Sequence, residues 1–251
     1  MKKDSSQADF ELFSFSDEIL SAIEQVGFKK PTDIQLKTIP AVLEGKDVLA
    51  RADTGSGKTA AFALPLLDML SNNNLYTQID RSKRFDATNR AASNCVQILV
   101  LVPTRELAIQ VAEVFSVLSK DILPEVECQS VYGGVKINPQ MMALRGGTDV
   151  LVATPGRLLD LVDQNAIKFN QIKALVIDEV DRLMKGDFQE EIERISKLLP
   201  NKRQNLMFTA TFPESISRLV REVLNEPAII NMDEFVDELE IEQRVITVNH
   251  N

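Results

Sequence analysis

The stretch Ala52-Asp53-Thr54-Gly55-Ser56-Gly57-Lys58-Thr59 decides the fold of this chain. It follows a short apolar run, residues 47–50, that predicts a buried strand, and it precedes residues 60–64, which predict a helix. A strand, a glycine-containing loop and a helix with Lys-Thr in its first turn form the context of a phosphate-binding loop. The alternative is a glycine-rich turn that carries Lys-Thr by chance, and the complete context makes it the weaker interpretation.

Each residue type in this loop has a physical reason to be there. Gly55 and Gly57 can take positive φ, so that backbone N–H groups close on a polyphosphate. The helix that begins near Gly57 adds unsatisfied N–H groups and the positive end of its dipole. We expect Lys58 to reach the β- and γ-phosphates and the Thr59 hydroxyl to ligate Mg²⁺. Ala52 stands where the pattern has its first glycine, and a side chain is tolerated there if φ is negative.

Composition and charge restrict the kind of protein this is. The 251 residues are 44% hydrophobic and 26% charged, which is typical of a single large α/β domain that needs no disulfide or metal. The net charge of −9 disfavours nucleic-acid binding by the whole surface, so any such site must be a local patch. His250 is the only histidine, which disfavours histidine catalysis and a histidine-ligated metal.

The cysteines and the apolar runs of the sequence indicate in which cellular compartment the protein is found. Cys95 and Cys128 lack metal-ligand spacing and lie in or near apolar runs, which predicts buried free thiols in a reducing compartment. The N-terminus lacks the apolar run of a signal peptide, and no apolar run approaches the length of a membrane span. We therefore expect a cytoplasmic monomer without membrane contact, or a nuclear or nucleolar one if the source is eukaryotic.

Apolar runs alternate with helical patterns along most of the chain. The runs that predict strands are residues 96–102, 126–132, 150–153, 174–177 and 205–208. Strands that alternate with helices predict a parallel sheet covered on both faces. Ligand chemistry in such sheets collects at the carboxyl ends of the strands, where nearly every unusual loop of this sequence falls.

The chain has four predicted regions. Residues 1–9 are expected to be a flexible leader, and residues 10–231 to form the domain. Residues 71–94 are polar and without a clean period, which predicts a surface insertion or mobile loop within that domain. The acidic residues 232–251 are expected to be a linker toward a domain that this chain lacks.

Two N-terminal helices are predicted from their start and stop signals. Ser16 is predicted to cap the start of a helix that Gly27 ends. Pro31-Thr32-Asp33 begins the next helix.

A carboxylate pair, Asp178-Glu179, closes the predicted strand 174–177. In a protein with a phosphate loop, Asp178 is placed to hold Mg²⁺, mostly through water, and Glu179 to polarise the attacking water. The alternative is a solvated acidic turn. The presence of the phosphate loop in the same chain favours the metal site.

Several motifs of this sequence together resemble those of one known protein family. Asp178-Glu179-Val180-Asp181 resembles the motif that names the DEAD-box RNA helicases, and six further signatures occur in the order and at spacings similar to that family. The first is similar to the adenine-reading Q motif and consists of Phe10 with Gly27-Phe28 and Pro31-Thr32-Asp33-Ile34-Gln35, and the second is the phosphate loop 52–59. Three are similar to the RNA-backbone motifs: Pro103-Thr104-Arg105-Glu106-Leu107-Ala108, Gly133-Gly134 and Thr154-Pro155-Gly156-Arg157. The last, Thr209-Ala210-Thr211, is similar to the Ser-Ala-Thr motif. The resemblance covers essentially the whole chain.

The resemblance implies the first, three-layer RecA-like domain of an ATP-dependent RNA helicase, with a mostly parallel central sheet and helices on both faces. ATP and Mg²⁺ are the implied cofactors. Lys58, Asp178 and Glu179 would be catalytic, and Thr59 and Asp178 would hold the metal. Adenine would be bound by Gln35, whose amide offers a donor and an acceptor, and covered by aromatic rings. The implied nucleotide-binding residues are Phe10, Phe28, Gln35, Ala52, Asp53, Thr54, Gly55, Ser56, Gly57, Lys58 and Thr59.

RNA is the implied partner, gripped by its backbone without reading its sequence. A helix N-terminus near Pro155-Gly156 would add to this grip. The implied RNA-binding residues are Pro103, Thr104, Arg105, Gly133, Gly134, Thr154, Pro155, Gly156 and Arg157. Thr209 and Thr211 would couple the two sites by hydrogen bonds toward Asp181.

Some features depart from the family pattern. Val180 replaces an alanine and Thr209 replaces a serine, which are both mild changes. The family's second RecA-like domain, with its arginine finger, is not in these residues, so the isolated chain is expected to hydrolyse ATP very slowly and not to unwind RNA. Two rival functions are a phosphate-loop ATPase that moves DNA or protein, against which Gln35 argues, and a non-enzymatic RNA clamp, against which Lys58, Asp178 and Glu179 argue.

Overall fold

The structure is a computed structural model that describes residues 10–71, 96–122, 125–185, 188–212 and 214–232. The predicted leader 1–9, almost all of the predicted insertion 71–94, and the predicted linker except Met232 lie outside the described residues, as do Cys95 and His250. Cys128 is a half-buried free thiol, and its burial, with the nearby Asp149 carboxylate, raises its pKa to about 12.

A sheet of parallel strands forms the centre of the domain. Its strands in chain order are β1 Val48–Arg51, β2 Ile98–Leu101, β3 Cys128–Val131, β4 Val150–Ala153, β5 Ala174–Ile177, β6 Gln204–Thr209 and β7 Ala228–Asn231. The seven strands lie in the order β3-β4-β2-β5-β6-β1-β7, and every pairing is parallel. The predicted α/β fold with a mostly parallel sheet is therefore confirmed.

Helices cover both faces of this sheet. They are α1 Asp17–Val26, α2 Asp33–Leu43, α3 Lys58–Ser71, α4 Arg105–Leu118, α5 Ile137–Ala143, α6 Pro155–Asp163, α7 Val180–Leu183, α8 Phe188–Leu198 and α9 Glu214–Val223. Among the described residues, no helix is long and apolar enough to cross a membrane.

Alternation along the strands divides the apolar residues into two cores. Ile98 and Val100 of β2 face a core built with α1 to α4, whereas Leu99 and Leu101 face a core built with α6 to α9. A strand that is buried on both faces needs apolar residues at every position, which explains why these strands are continuous apolar runs in the sequence.

The end of α1 and the start of α2 have the capping residues that the sequence predicts, but the start of α1 does not. Gly27 ends α1 in the left-handed conformation with φ of 81°, and Thr32 forms a capping box with Gln35 at the start of α2. Ser16 precedes α1, but its hydroxyl makes no capping hydrogen bond. Its backbone N–H donates instead to the carboxylate of Asp68 on α3, at 2.8 Å.

Strand β7 is the one strand that the sequence analysis missed. It has only four residues, and its central Ile229 is 76% exposed, so it shows neither a clear alternation nor a buried apolar run. Its position comes from pairing with β1, in which Arg51 lies opposite Asn231. Such pairing is a long-range contact that a short window of sequence does not reveal.

Candidate nucleotide and nucleic-acid site

The strand order separates the predicted motifs into two neighbouring groups at the carboxyl edge of the sheet. The adjacent strands β5, β6 and β1 lead into Asp178-Glu179, Thr209-Ala210-Thr211 and the phosphate loop, respectively. The adjacent strands β3, β4 and β2 lead into Gly133-Gly134, Thr154–Arg157 and Pro103–Arg105. We call these groups the nucleotide half and the nucleic-acid half, and they meet where β5 pairs with β2.

The phosphate loop has the backbone that the sequence predicts. Gly55 and Gly57 have φ of 85° and 95°, and α3 begins at Lys58. Ala52 is buried and is not among the residues with positive φ, so its side chain is accommodated. Since the φ values of Gly55 and Gly57 are ones that residues with side chains rarely adopt, glycine is required at both positions.

Lys58 is buried at the start of α3, where its ammonium donates a hydrogen bond to the carbonyl of Ala52 at 2.8 Å. This ammonium also lowers the pKa of Asp178, so the two side chains interact across the nucleotide half. Thr59 follows in the first turn of α3 and is partly exposed. The structure therefore brings the predicted phosphate-binding lysine and the predicted metal-binding carboxylate together.

Asp178 is a buried carboxylate, only 3% exposed. Burial raises its pKa to about 6, although the Lys58 ammonium and a hydrogen bond of 2.9 Å from the Glu179 N–H both act to lower it. A carboxylate in this situation gains from a nearby cation. The described residues contain no group of three or more histidine, cysteine or acidic side chains that could hold a metal by themselves. The donors present, one carboxylate and one hydroxyl, fit Mg²⁺ that takes its other ligands from phosphate and water.

Glu179 has an unusual backbone and a partner that the sequence analysis missed. Its φ and ψ are 50° and 49°, the left-handed region that a residue with a side chain rarely occupies. Its carboxylate accepts a hydrogen bond from Arg182, one turn later, at 2.6 Å. The Arg182 side chain is 58% exposed and the Glu179 side chain 12%, so the ion pair joins a mostly buried carboxylate to a surface arginine. The strained backbone is the kind that clusters at functional sites.

Asp181 is linked to the end of β6. The Thr211 hydroxyl donates to its carboxylate at 2.9 Å, and the Thr209 hydroxyl donates to the carbonyl of Thr211 at 2.6 Å. Burial acts to raise the pKa of Asp181, but hydrogen bonds led by those from the Thr211 hydroxyl and the Ala210 N–H outweigh it and hold the pKa below its ordinary value. A direct contact thus joins the acidic motif to the Thr-Ala-Thr motif, while its coupling role stays a prediction.

Gln35 lies against the phosphate loop. Its carbonyl oxygen accepts from the Thr32 N–H at 3.0 Å, and its amide nitrogen donates to the carbonyl of Gly57 at 3.1 Å. Gln35 therefore ties the start of α2 to the loop, which the sequence analysis did not predict. An amide side chain has two donors and two acceptor sites, so one of each is left for another ligand.

Phe10 and Phe28 come together at a cleft of about 590 Å³. Phe10 is buried, and its ring packs edge-on against Phe13 with centroids 6.1 Å apart. The described residues that line the cleft all lie between Phe10 and Lys29, and the phosphate loop contributes none of them. Phe10 is thus part of the core, as an aromatic residue at the start of a domain often is, and its contact with adenine stays a prediction.

In the nucleic-acid half, several predicted residues are exposed at neighbouring strand ends. Arg105 is exposed and lies over the ring of Tyr132, 5.0 Å from its centroid. Gly133 and Gly134 are exposed, and a side chain at either would meet open space. Thr104 caps α4 by accepting from the Leu107 N–H at 3.2 Å.

The start of α6 lies between the ends of β3 and β2. The N–H of Thr154 donates to the carbonyl of Val131 at 3.1 Å, and Pro155 is the first residue of α6. The predicted helix N-terminus near Pro155-Gly156 is therefore present. The arginine of the same motif, Arg157, is not exposed beside this helix N-terminus, because only 9% of its surface is accessible. The guanidinium of Arg157 donates to Gln140 and to the carbonyl of Val135, contacts that the sequence did not predict.

Comparison with known proteins gives one consistent result. The sequence model of the DEAD/DEAH box helicase family matches residues 32–219. The chain is 40% identical over 227 residues to the ATP-dependent RNA helicase DeaD of Buchnera aphidicola from Schizaphis graminum, covering 90% of this chain and 34% of that protein. It is 39% identical over 223 residues to the ATP-dependent RNA helicase CshA of Listeria monocytogenes, covering 89% of this chain and 39% of that protein.

A solved structure agrees with these relatives. A DEAD box protein from the hyperthermophile Methanococcus jannaschii superposes with a TM-score of 0.76 at 33% identity, covering 89% of this chain and 55% of that one. The chain spans about a third to two-fifths of the length of the two relatives named above.

We predict that Gly57→Ala destabilises the domain more than Gly55→Ala. Both substitutions force a side chain to positive φ, which costs about 1 kcal/mol or more. A Cβ at position 57 would also lie 2.7 Å from the Gln35 amide nitrogen and 3.0 Å from the Thr32 hydroxyl, whereas position 55 has open space. Because the Gln35 amide would have to shift and give up its hydrogen bond to the Gly57 carbonyl, the loss at position 57 should exceed that at position 55 by about 1 kcal/mol, which urea unfolding of the two variants measures. Equal losses would contradict the close approach of Gln35 to the loop.

We also predict that Asp178→Asn stabilises the protein at neutral and alkaline pH. A carboxyl whose pKa is raised from 3.8 to about 6 by folding binds protons more readily in the folded state, so its charged form costs stability above about pH 6. Removing that charge should raise the free energy of unfolding near pH 8 by up to about 3 kcal/mol. The gain should shrink below pH 6 and vanish near pH 4.

Urea unfolding at several pH values, with EDTA and without nucleotide, checks the Asp178 prediction. The exposed Asp53→Asn is the matched control, and its effect should stay within about 0.5 kcal/mol throughout. A stabilisation by Asp178→Asn that does not depend on pH would show that burial of the charge is not its origin.

Proposed function

This chain belongs to the DEAD/DEAH box helicase family, and we propose that it is the ATP-binding first domain of an ATP-dependent RNA helicase. The observation that carries the proposal is the division of one sheet edge into a nucleotide half on β5, β6 and β1 and a nucleic-acid half on β3, β4 and β2. The names of the relatives, ATP-dependent RNA helicases DeaD and CshA, support the same activity. Hydrolysis at one half would be coupled to RNA binding at the other.

The phosphate loop binds the polyphosphate of ATP in this proposal. Backbone N–H groups of residues 53–59 and the N-terminus of α3 face the phosphates. The Lys58 ammonium exchanges its contact with the Ala52 carbonyl for the β- and γ-phosphates. The support for this exchange is that the Lys58 ammonium makes its hydrogen bond to a backbone carbonyl of the loop itself.

Thr59 and Asp178 would hold Mg²⁺, with Asp178 acting mostly through water. Bound Mg²⁺ would supply positive charge to the β- and γ-phosphate oxygens. The support from this chain is the buried Asp178 carboxylate, whose charged form burial disfavours and a cation would favour. The Thr59 hydroxyl, in the first turn of α3, is the matching second donor.

Glu179 would orient and polarise the water that attacks the γ-phosphate in line with the leaving ADP oxygen. Arg182 donates a hydrogen bond of 2.6 Å to the Glu179 carboxylate in this structure. Glu179 would therefore act as base only when its carboxylate turns toward the phosphate, or when one oxygen stays with Arg182 and the other accepts from the attacking water. The arginine that completes charge stabilisation in this family would come from a second RecA-like domain. Such an arginine contributes about 10³–10⁵ in rate in related nucleotidases, so this chain alone should turn over slowly.

The base of the nucleotide would be read by Gln35 and covered by Phe10 and Phe28. Gln35 keeps one donor and one acceptor beyond its contacts with Gly57 and Thr32, which is the pair that an adenine edge requires.

The RNA backbone would be held by Arg105, by the N–H groups of Gly133 and Gly134, and by the start of α6. The contact between Thr211 and Asp181 joins two motifs within the nucleotide half, and the pairing of β5 with β2 is where that half would communicate with the nucleic-acid half.

We predict that the chain binds ATP more tightly than GTP and that Gln35 determines this preference. Gln35→Ala should lower ATP affinity about tenfold and reduce the discrimination. It should also weaken the cap of α2 by about 1 kcal/mol, so this variant changes the stability of the domain as well as its ATP affinity. Gln35→Glu is the matched variant, because glutamate keeps the acceptor for the Thr32 N–H but loses the amide donor. It should keep the Thr32 contact and lose the discrimination, and its stability should also fall because a buried carboxylate would face the Gly57 carbonyl.

Calorimetric titration with ATP and GTP, together with urea unfolding, checks the Gln35 prediction. The exposed Leu36→Ala on the same helix serves as the control and should change neither affinity. Equal affinity of the parent chain for ATP and GTP would overturn the assignment of the adenine site.

We further predict that Glu179→Gln, made in the full-length protein that contains these residues, lowers RNA-stimulated ATP hydrolysis by about 10²-fold or more. The substitution keeps the shape of the side chain and removes the charge that polarises water, so nucleotide and Mg²⁺ binding should be nearly unchanged. Steady-state phosphate release with single-stranded RNA is the measurement, and the exposed Glu190→Gln is the control.

The same assay tests the proposed function as a whole. Residues 1–251 alone should show slow hydrolysis that RNA does not stimulate, and the full-length protein should show stimulation by RNA but not by DNA. Stimulation by DNA alone, or the absence of hydrolysis in the full-length protein, would favour a DNA-moving ATPase or an RNA clamp instead.

A further inference from the structure

Arg157, at the start of α6, directs its charge into the domain. One terminal nitrogen donates to the Gln140 side chain at 2.8 Å, and the other donates to the carbonyl of Val135 at 2.7 Å. Its Nε lies 3.5 Å from the Asp160 carboxylate. With 9% of the residue exposed, the two terminal nitrogens are committed to protein partners, while the buried Nε makes no hydrogen bond.

Gln140, on α5, continues this set of contacts. Its side-chain oxygen accepts from Arg157, while its amide nitrogen donates to the carbonyl of Tyr132 at 3.2 Å. The Tyr132 ring lies beneath the guanidinium of Arg105 at the start of α4. The contacts therefore join α6, α5 and α4 to the loop that follows β3.

These contacts restrain the carbonyls on either side of the exposed glycine pair. The carbonyl of Tyr132 precedes Gly133-Gly134, and the carbonyl of Val135 follows them. Glycine has the most conformational freedom of any residue, and Gly134 has φ of 80°. Neither glycine has a side chain with which to restrain itself, so the restraint on this loop must come from outside it.

We propose that Arg157 and Gln140 are positioning residues that preorganise the N–H groups of Gly133 and Gly134 for the RNA backbone. In this arrangement, which rests on the proposed RNA-binding function, Arg157 does not touch RNA phosphate. A loop held in its bound conformation before binding avoids the entropic cost of being ordered by the ligand. We call Arg157, Gln140 and the two carbonyls that they hold the glycine-loop bracket.

The bracket predicts a different response to mutation from that of a direct phosphate contact. Losing an arginine that touches phosphate reduces the salt dependence of binding, by about 0.7 in the slope of log affinity against log salt for a single strand. Losing the bracket weakens contacts made by neutral N–H groups, so affinity falls while the slope stays. Arg157→Met and Gln140→Ala should each weaken RNA binding about tenfold, the cost of ordering about one backbone residue.

The first experiment measures the affinity of the chain for a single-stranded oligoribonucleotide across a salt series by fluorescence anisotropy. Arg157→Met, Gln140→Ala and the double variant are compared with Arg145→Gln, which removes an exposed arginine that follows α5 in the chain. We expect equal losses in the two single variants, no further loss in the double variant, unchanged salt slopes and unchanged ATP affinity. A reduced slope in Arg157→Met, with wild-type affinity in Gln140→Ala, would overturn the proposal in favour of a direct phosphate contact.

The second experiment does not depend on RNA binding. Amide hydrogen exchange of residues 132–136 should be faster in Arg157→Met and Gln140→Ala than in the parent and in Arg145→Gln. Unchanged exchange would show that the bracket does not restrain the loop, whatever the RNA affinity. If the parent chain binds no RNA while exchange responds as expected, the proposed RNA function fails and the bracket stands as a loop restraint only.

A third variant covers the case in which Arg157→Met does not fold. Gln140→Glu keeps an acceptor for Arg157 and loses the donor to the Tyr132 carbonyl, so it breaks one side of the bracket without leaving a buried cation unpaired. It should accelerate exchange at Gly133 and lower RNA affinity. Wild-type values for both would contradict the proposal.

Discussion

The parallel direction of all seven strands is the constraint on which the rest of this structure depends. Parallel strands end at the same edge, so the loops that follow β1 to β6 are brought together although their motifs are spread over more than 150 residues of sequence. The strand order then sorts these loops into two halves. The pairing of β5 with β2 places the acidic motif beside the nucleic-acid half, which is the geometry that the proposed coupling requires.

The sequence could predict the parts of this architecture that depend on local pattern. Continuous apolar runs predicted β2, β4, β5 and β6, and the left-handed conformations of Gly55 and Gly57 follow from the phosphate-loop pattern. It could not predict partners, because these depend on which loops the strand order makes neighbours. Arg157 shows this most clearly: the resemblance of its motif to an RNA-backbone motif implied a contact with RNA, but the loop after β3 and the side chain of Gln140 take the donors of its terminal nitrogens.

The nucleotide half carries energetic costs that the two apolar cores offset. Asp178 is buried with a raised pKa, Glu179 has a left-handed backbone, and the phosphate loop requires glycine at two positions. Features of this kind persist only where the surrounding structure determines them strongly. Here β5 carries the acidic motif, and β6 holds it through the Thr211 contact to Asp181 and through the parallel pairing of the two strands.

The central claim is that nucleotide and RNA bind separate halves of one sheet edge. Amide hydrogen exchange of the chain, with Mg²⁺ and a non-hydrolysable ATP analogue or with single-stranded RNA, tests it directly. The account predicts that the nucleotide protects residues 52–59 and 178–181, and that RNA protects residues 104–105, 133–135 and 154–156. Protection of the phosphate loop by RNA alone, or of the glycine loop by nucleotide alone, would contradict the division into two halves.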